Sequence, residues 1–245
     1  LTKTFKSSDL SISARNLLKD KNNSVDILSN IDRDSVEERL MQTLDILDIE
    51  EQTIDIDESC ALEIKEYLAL LDLIMEIDEE YLPAVNSANK KTTITQPGMR
   101  YSQATELVNS ILQDEKFSKF SATERAYILD RLLSEVKGRM LEEIILLETK
   151  MANPHKQVFK LQFSTGEFDM VIADKKTLTC EIYEIKYSKE ISERQYQHLM
   201  DTKKCDDTEF RFGKITGKFI IYRGETTEVN GIKYVNAEEY LKTLA

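Results

Sequence analysis

Residues 166–186 concentrate the chemistry of this chain: Gly166-Glu167-Phe168-Asp169, a turn, then Glu184-Ile185-Lys186. Asp169 falls in a run that reads as a strand, Glu167 to Ala173. Glu184 and Lys186 fall in the next, Leu178 to Tyr187. Side chains alternate along a strand, so positions two apart share a face. Glu184 and Lys186 therefore point the same way with Ile185 opposed, and an Asp on the adjacent strand converges on them. Two carboxylates and one lysine at the ends of paired strands are suited to holding a divalent cation and activating water for phosphodiester cleavage. The same residues also read as a solvated strand face with an ion pair, because E-x-K on a strand is common.

The elements around them are legible in outline. Ser121-Ala122-Thr123-Glu124 is a capping box that opens a helix over 121–150. Leu129, Leu133, Val136, Met140, Ile144 and Leu147 recur at spacings of three or four and predict its buried stripe. Glu135, Arg139 and Glu143 form a row of alternating charge that reads as solvent face, with Glu143 a surface salt-bridge partner. Gly138, Glu142 and Ile145 make a third row. Glycine there costs about 1 kcal/mol of helix propensity, which close approach of a neighbouring backbone would offset. Glu142 is then the helix carboxylate that reaches inward. Next come a strand over Val158–Phe163, a hairpin turn at Ser164-Thr165-Gly166, and a strand with Phe168, Met170 and Ile172 on one face and Glu167 and Asp169 on the other. Asp174-Lys175-Lys176 turns into the third strand. A helix over 189–202 and a buried strand over Lys218–Tyr222 follow.

The N-terminal third differs in charge. Residues 1–85 hold 8 Lys+Arg and 21 Asp+Glu, a net of −13, whereas 86–245 hold 25 and 24, a net of +1. We expect an acidic helical region over 1–85 and an α/β domain over 86–245. Helices are expected at 34–47, with Leu40, Leu44 and Leu47 on one stripe, and from Glu58 to Ile74, with Leu62, Tyr67, Leu68 and Leu71 apolar. Met75–Leu82 reads as a wing or strand. The acidic balance disfavours tight nonspecific binding to duplex DNA. Lys203, Lys204, Arg211, Lys214 and Lys218 read as scattered solubilising charge.

Several segments resemble the C-terminal domain of unknown function that follows the ATPase core in a large group of prokaryotic AAA+ ATPases. Lys91–Tyr101 is similar to that family's strand and turn ahead of a short helix, and Lys137–Glu142 to its G-x-x-x-E helix. Val158–Ile172 resembles its strand, turn and acidic-x-Asp strand, Glu181–Ser188 its E-x-K strand, and Glu238–Leu241 its closing helix. The match covers roughly 90–245. The resemblance implies a restriction-endonuclease-like core of the PD-(D/E)xK type, a mixed sheet flanked by helices. The family often has a winged-helix module ahead of this core, and Glu63–Leu68 resembles its third helix. The outer face there carries Glu58, Glu63 and Glu66 rather than basic and amide groups, so such a module would contact protein rather than read DNA. The resemblance matches Glu142 to the family's helix Glu. It places Gln195, and after it Gln197, where some relatives have a polar active-site residue; both also read as solvated side chains.

The resemblance further implies an ATPase core upstream. The chain begins at Leu1 and lacks G-x-x-x-x-G-K-[ST], the nearest approach being Gly213–Lys218 with the wrong spacing. We therefore expect it to be part of a longer protein, with ATP bound only in an upstream domain. Cys60, Cys180 and Cys205 are odd in number and far apart, which fits reduced thiols. The two histidines, His155 and His198, read as ordinary surface or turn residues. No apolar run is long enough to span a membrane, and no signal segment is evident, so a cytoplasmic protein is expected.

Two functional classes remain. In one, Asp169 and Glu184 bind Mg²⁺ or Mn²⁺ with Glu142 as a third or water-mediated ligand, and Lys186 orients the attacking water of a DNA endonuclease. In the other, the domain is an accessory interaction module that keeps the nuclease-like site and serves its ATPase, a protein partner or DNA.

Overall fold

The computed structural model describes Arg39 and residues 57–82 and 89–244. The helix expected over 34–47 lies outside the described residues. The chain forms two compact units, one of residues 1–56 and 98–137, the other of residues 57–97 and 138–245.

In the first unit, α2 (Gly98–Leu112), α3 (Glu115–Ser118) and the start of α4 (Ala122–Ala152) enclose Ile111, Phe117, Ile128 and Leu132. The capping box is present at the start of α4. Glu124 accepts from the Ser121 amide at 2.9 Å, and the Ser121 hydroxyl accepts from the Glu124 amide at 3.3 Å.

The second unit opens with α1 (Glu58–Leu70), capped by Asp57, whose side chain accepts from the Cys60 amide. The helix ends four residues earlier than expected, because Ile74 already begins a strand. Its apolar side chains are not buried: Leu62 and Tyr67 are exposed and Leu68 is half-buried, and Leu71, just past the helix, is exposed as well. The strands are β1 (Ile74–Leu82), β2 (Asn89–Ile94), β3 (Gln157–Phe163), β4 (Glu167–Asp174), β5 (Thr179–Ile185), β6 (Lys214–Tyr222), β7 (Thr227–Val229) and β8 (Ile232–Asn236). They form one mixed sheet in the order β2-β1-β3-β4-β5-β6-β8-β7. β3, β4 and β5 are an antiparallel meander, while β1 joins β3, and β6 joins β5 and β8, in parallel. Met75–Leu82 is thus a strand of the main sheet. β7 and β8 were not expected from the sequence.

Apolar clusters cover both faces. Phe159, Leu161, Phe163, Phe168, Val171 and Ile182 pack with Leu199 and with Phe212 of α5 (Thr202–Phe212). Val158, Met170, Ile172, Tyr183 and Ile185 pack with Ile145, Leu146 and Leu147 of α4 and with Tyr240 of α6 (Ala237–Leu244).

Three sequence expectations change. The helix placed over 189–202 is a 3₁₀ turn at Glu193–Gln195 followed by turns, and the α-helix begins at Thr202. Two caps set this: Ser192 and Gln195 close the short turn, and Asp201 accepts from the Lys204 amide to start α5. In α4, Leu147 of the expected stripe is buried, but Leu129, Leu133, Val136, Met140 and Ile144 are only partly buried. Ile128, Leu132, Ile145 and Leu146 are buried beside it, and Glu143, placed on the solvent row, is buried as well. Finally, Phe168 does not share a face with Met170 and Ile172; it packs with Val171 and Ala173 on the opposite face. The cause is a bulge. Between the pairs Phe159–Val171 and Leu161–Phe168, β4 spends one residue more than β3.

Candidate active site

The extra residue of β4 falls at Asp169-Met170, so the strand breaks its alternation at Asp169. The ladder between β4 and β5 runs outward to Met170–Tyr183. Beyond it the Asp169 carboxylate takes the place of a backbone carbonyl: its Oδ2 accepts from the Ile185 amide at 2.7 Å. This fixes Asp169 across from Glu184. Lys186 Nζ lies 2.8 Å from Asp169 Oδ2 and 2.6 Å from Glu184 Oε2. The three residues that the sequence singled out therefore form one contiguous cluster, with Asp169 and Glu184 both buried.

One ammonium between two carboxylates balances one of them, and the two carboxyl groups divide accordingly. Burial works to raise Asp169, but the charges of Lys186 and Lys160 and the Ile185 amide outweigh it and hold its carboxyl below the ordinary range. Glu184 is pushed up to about 8, by burial first and then by the Asp169 charge. Lys186 is shifted upward: its burial opposes the charged form, and the two carboxylates more than compensate. Glu184 Oε1 is buried and has no hydrogen-bond partner among the described residues. With its carboxyl raised to about 8, Glu184 holds a proton near neutral pH, and a hard cation is the natural ligand to take that proton's place on the buried oxygens.

Glu142 approaches from α4 but does not join this cluster directly. It faces Lys160 of β3 at 3.6 Å, and Lys160 also reaches Glu167 at 3.3 Å. Burial, followed by the charge of Asp169, pushes Glu142 up to about 7. Among the described residues no group of three or more His, Cys, Asp or Glu side chains is gathered closely enough to hold a metal ion. The donor set present is the Asp169–Glu184 pair, with Glu142 coupled to it through charge. Those two carboxyl groups are the ones a cation would meet here, with water to complete its shell; Glu142 stands with Lys160 instead.

Gly138 meets no close backbone: a Cβ there would lie 3.9 Å from the Tyr187 Cβ, an ordinary contact. Gln195 serves its own turn, accepting from the Ser192 amide and donating to the Glu190 carbonyl, and Gln197 is exposed.

Four residues have surroundings that the sequence reading did not give them. Lys160 alternates with Phe159 and Leu161 and so points toward the helix that holds Glu142, a pattern visible in the strand. His198, read as a surface or turn residue, does lie in a turn, but it is half-buried and within the electrostatic influence of Lys186 and Asp169. Lys204, read as solubilising charge, is buried. Lys218 also departs from that reading, donating to the Leu199 carbonyl at 2.7 Å. His155 is exposed, and the three cysteines are free thiols. No helix among the described residues is long and apolar enough to cross a membrane. Comparisons with protein families, with curated proteins and with solved structures return no match.

Proposed function

We propose that this chain carries a metal-dependent phosphodiesterase site acting on DNA, within a longer protein whose upstream part is an ATPase. The observation that carries the reading is the convergence of Asp169, Glu184 and Lys186, with a buried carboxylate oxygen unsatisfied. The resemblance of residues 90–245 to the nuclease-like domain of AAA+ ATPases supports the same reading and is the sole support for the ATPase. Asp169 and Glu184 would hold Mg²⁺ or Mn²⁺, which when bound supplies Lewis acidity to the phosphate and acidifies a water. Asp169 is kept ionised by its amide and lysine partners, so it offers a charged oxygen at neutral pH. Lys186 turns from the carboxylates toward the phosphate, where its ammonium orients the water and offsets charge on the phosphoryl oxygens. Glu142, raised toward neutrality, can take or give a proton by way of water.

One observation favours the second reading, an accessory interaction module. The Lys186 ammonium already bridges the carboxylates, and Lys160 already engages Glu142, which closes the cluster electrostatically. A thermal melt with and without Mn²⁺, paired with cleavage assays on single- and double-stranded DNA, decides between them. The nuclease reading expects Mn²⁺ to raise the melting temperature, Asp169→Ala to abolish that rise, and Lys186→Ala to keep it while losing cleavage. No Mn²⁺ shift and no cleavage by the native chain would leave the module.

A further inference from the structure

A second cationic group stands beside the carboxylate cluster. Lys204 of α5 is buried, and no carboxylate among the described residues lies within ion-pair distance of it. Its ammonium is 2.7 Å from His198 Nδ1 and 5.2 Å from the centre of the Phe163 ring. A lysine in this position donates, so Nδ1 accepts, and the imidazole must carry its own proton on Nε2. Lys204 thereby fixes the tautomer of His198 and turns its remaining nitrogen into a donor. Both donors border the turn between β3 and β4. A Cβ added to Gly166 would stand 2.9 Å from His198 Nε2 and 3.0 Å from Lys204 Nζ. The absence of a side chain at 166 lets the His198 ring and the Lys204 ammonium pack against this turn, and its φ of +79° also favours glycine.

Among the described residues this buried ammonium meets a ring nitrogen and an aromatic face and no carboxylate at ion-pair distance, so an anion is what would repay its desolvation. The chain as a whole has a net charge of −12, and the charges of Asp169 and Asp201 also act on His198, so two N–H donors gathered at one point run against its general character. We propose that His198 and Lys204, framed by Gly166, form a phosphate-binding subsite that holds a backbone phosphate of the nucleic acid adjoining the one cleaved. His198 makes the contact through Nε2–H, and Lys204 positions it and supplies the charge. This assignment rests on the phosphodiesterase reading for the identity of the ligand, while the anion chemistry comes from the cluster itself.

The test is titration of the whole chain in EDTA with the dinucleotide dTpdT and with inorganic phosphate, following the imidazole nitrogens by NMR. Saturable binding should shift the His198 Nε2 resonance, and binding should weaken about tenfold in His198→Gln and in Lys204→Met. Lys204→Met should also let the imidazole sample both tautomers, a signature that lost packing alone does not produce. If Lys204→Met fails to fold, the half-buried His198→Gln carries the test. A silent His198, or variants that bind as tightly as the native chain, overturns the subsite. Binding of this kind in a chain that never cleaves DNA with Mn²⁺ would remove the nuclease reading and keep the subsite. Cleavage with an unchanged kcat/KM in His198→Gln would do the reverse.

Discussion

Glu184 and Glu142 are buried acids whose neutral forms the fold prefers, whereas Asp169 prefers its charge. The consequences for stability have opposite signs. A carboxyl raised in the folded state contributes stability that is complete below its ordinary value of 4.5 and is lost as the pH climbs through about 7 to 8. Asp169, lowered from 3.8, contributes above that value and loses it in acid. Without metal, unfolding by denaturant at pH 6 and pH 9 should show a loss on the order of 1–2 kcal/mol across the window. Glu184→Gln should flatten the profile. A native chain and variant with the same slope would show that burial of this acid does not govern the effect. Mn²⁺ favours the ionised pair and should offset the loss at high pH. The groups titrate as a coupled set, so the profile reports the cluster rather than one residue.

Individual elements carry separate expectations. Gly138 lies inside α4 with room for a methyl group. Gly138→Ala should therefore stabilise by about 0.5–1 kcal/mol, read from the shift in denaturant midpoint. Gly213 is the contrary case. It ends α5 at φ +95°, and a Cβ would collide with the Leu178 carbonyl, to which the Lys214 amide donates at 2.9 Å. Gly213→Ala should cost more than about 2 kcal/mol, and a midpoint within error of the native chain would refute the contact. These elements also show what the sequence could reveal. The meander β3–β5 was legible because alternation, the Gly166 turn and the Asp174 turn are local signals. The bulge at Asp169 was not, since it exists only in the pairing of β4 with β3. Asp169, Glu184 and Lys186 were found because two of them sit two apart on one strand. His198 and Lys204 were missed because a turn and a helix start separate them, and the inward face of α5 (TKKCDDTEFRF) has as its apolar residues just Cys205 and Phe212, too few to mark Lys204 as buried.

On the scale of the molecule, the sheet-bearing unit is discontinuous in sequence. Residues 57–97 supply α1 and the edge pair β1–β2, and β1 covers the side of β3 away from β4. β2 carries Lys90 and Lys91, and Lys90 pairs with Glu76 of β1 at 2.8 Å, which suits an outer strand that must discourage further pairing. Deleting residues 57–97 should leave β3 as the edge, with Phe159, Leu161 and Phe163 beside unpaired backbone. Light scattering at constant concentration should then show association that the native chain lacks. A monodisperse, folded deletion product would mean that the edge pair is dispensable.

The parallel joint between β1 and β3 also sets an order of events in time. Asp78 is registered against Phe159, about 80 positions further along. During synthesis the first partner is made well before the second, and the backbone groups of β1 that face β3 must wait for the rest of the meander to emerge. Long-range parallel pairing of this kind is slow, so the rate of acquiring the finished sheet should be limited by this seam. A nascent chain stopped before residue 157 holds a hairpin with one side unprotected, and chaperone demand during biosynthesis should be greatest there.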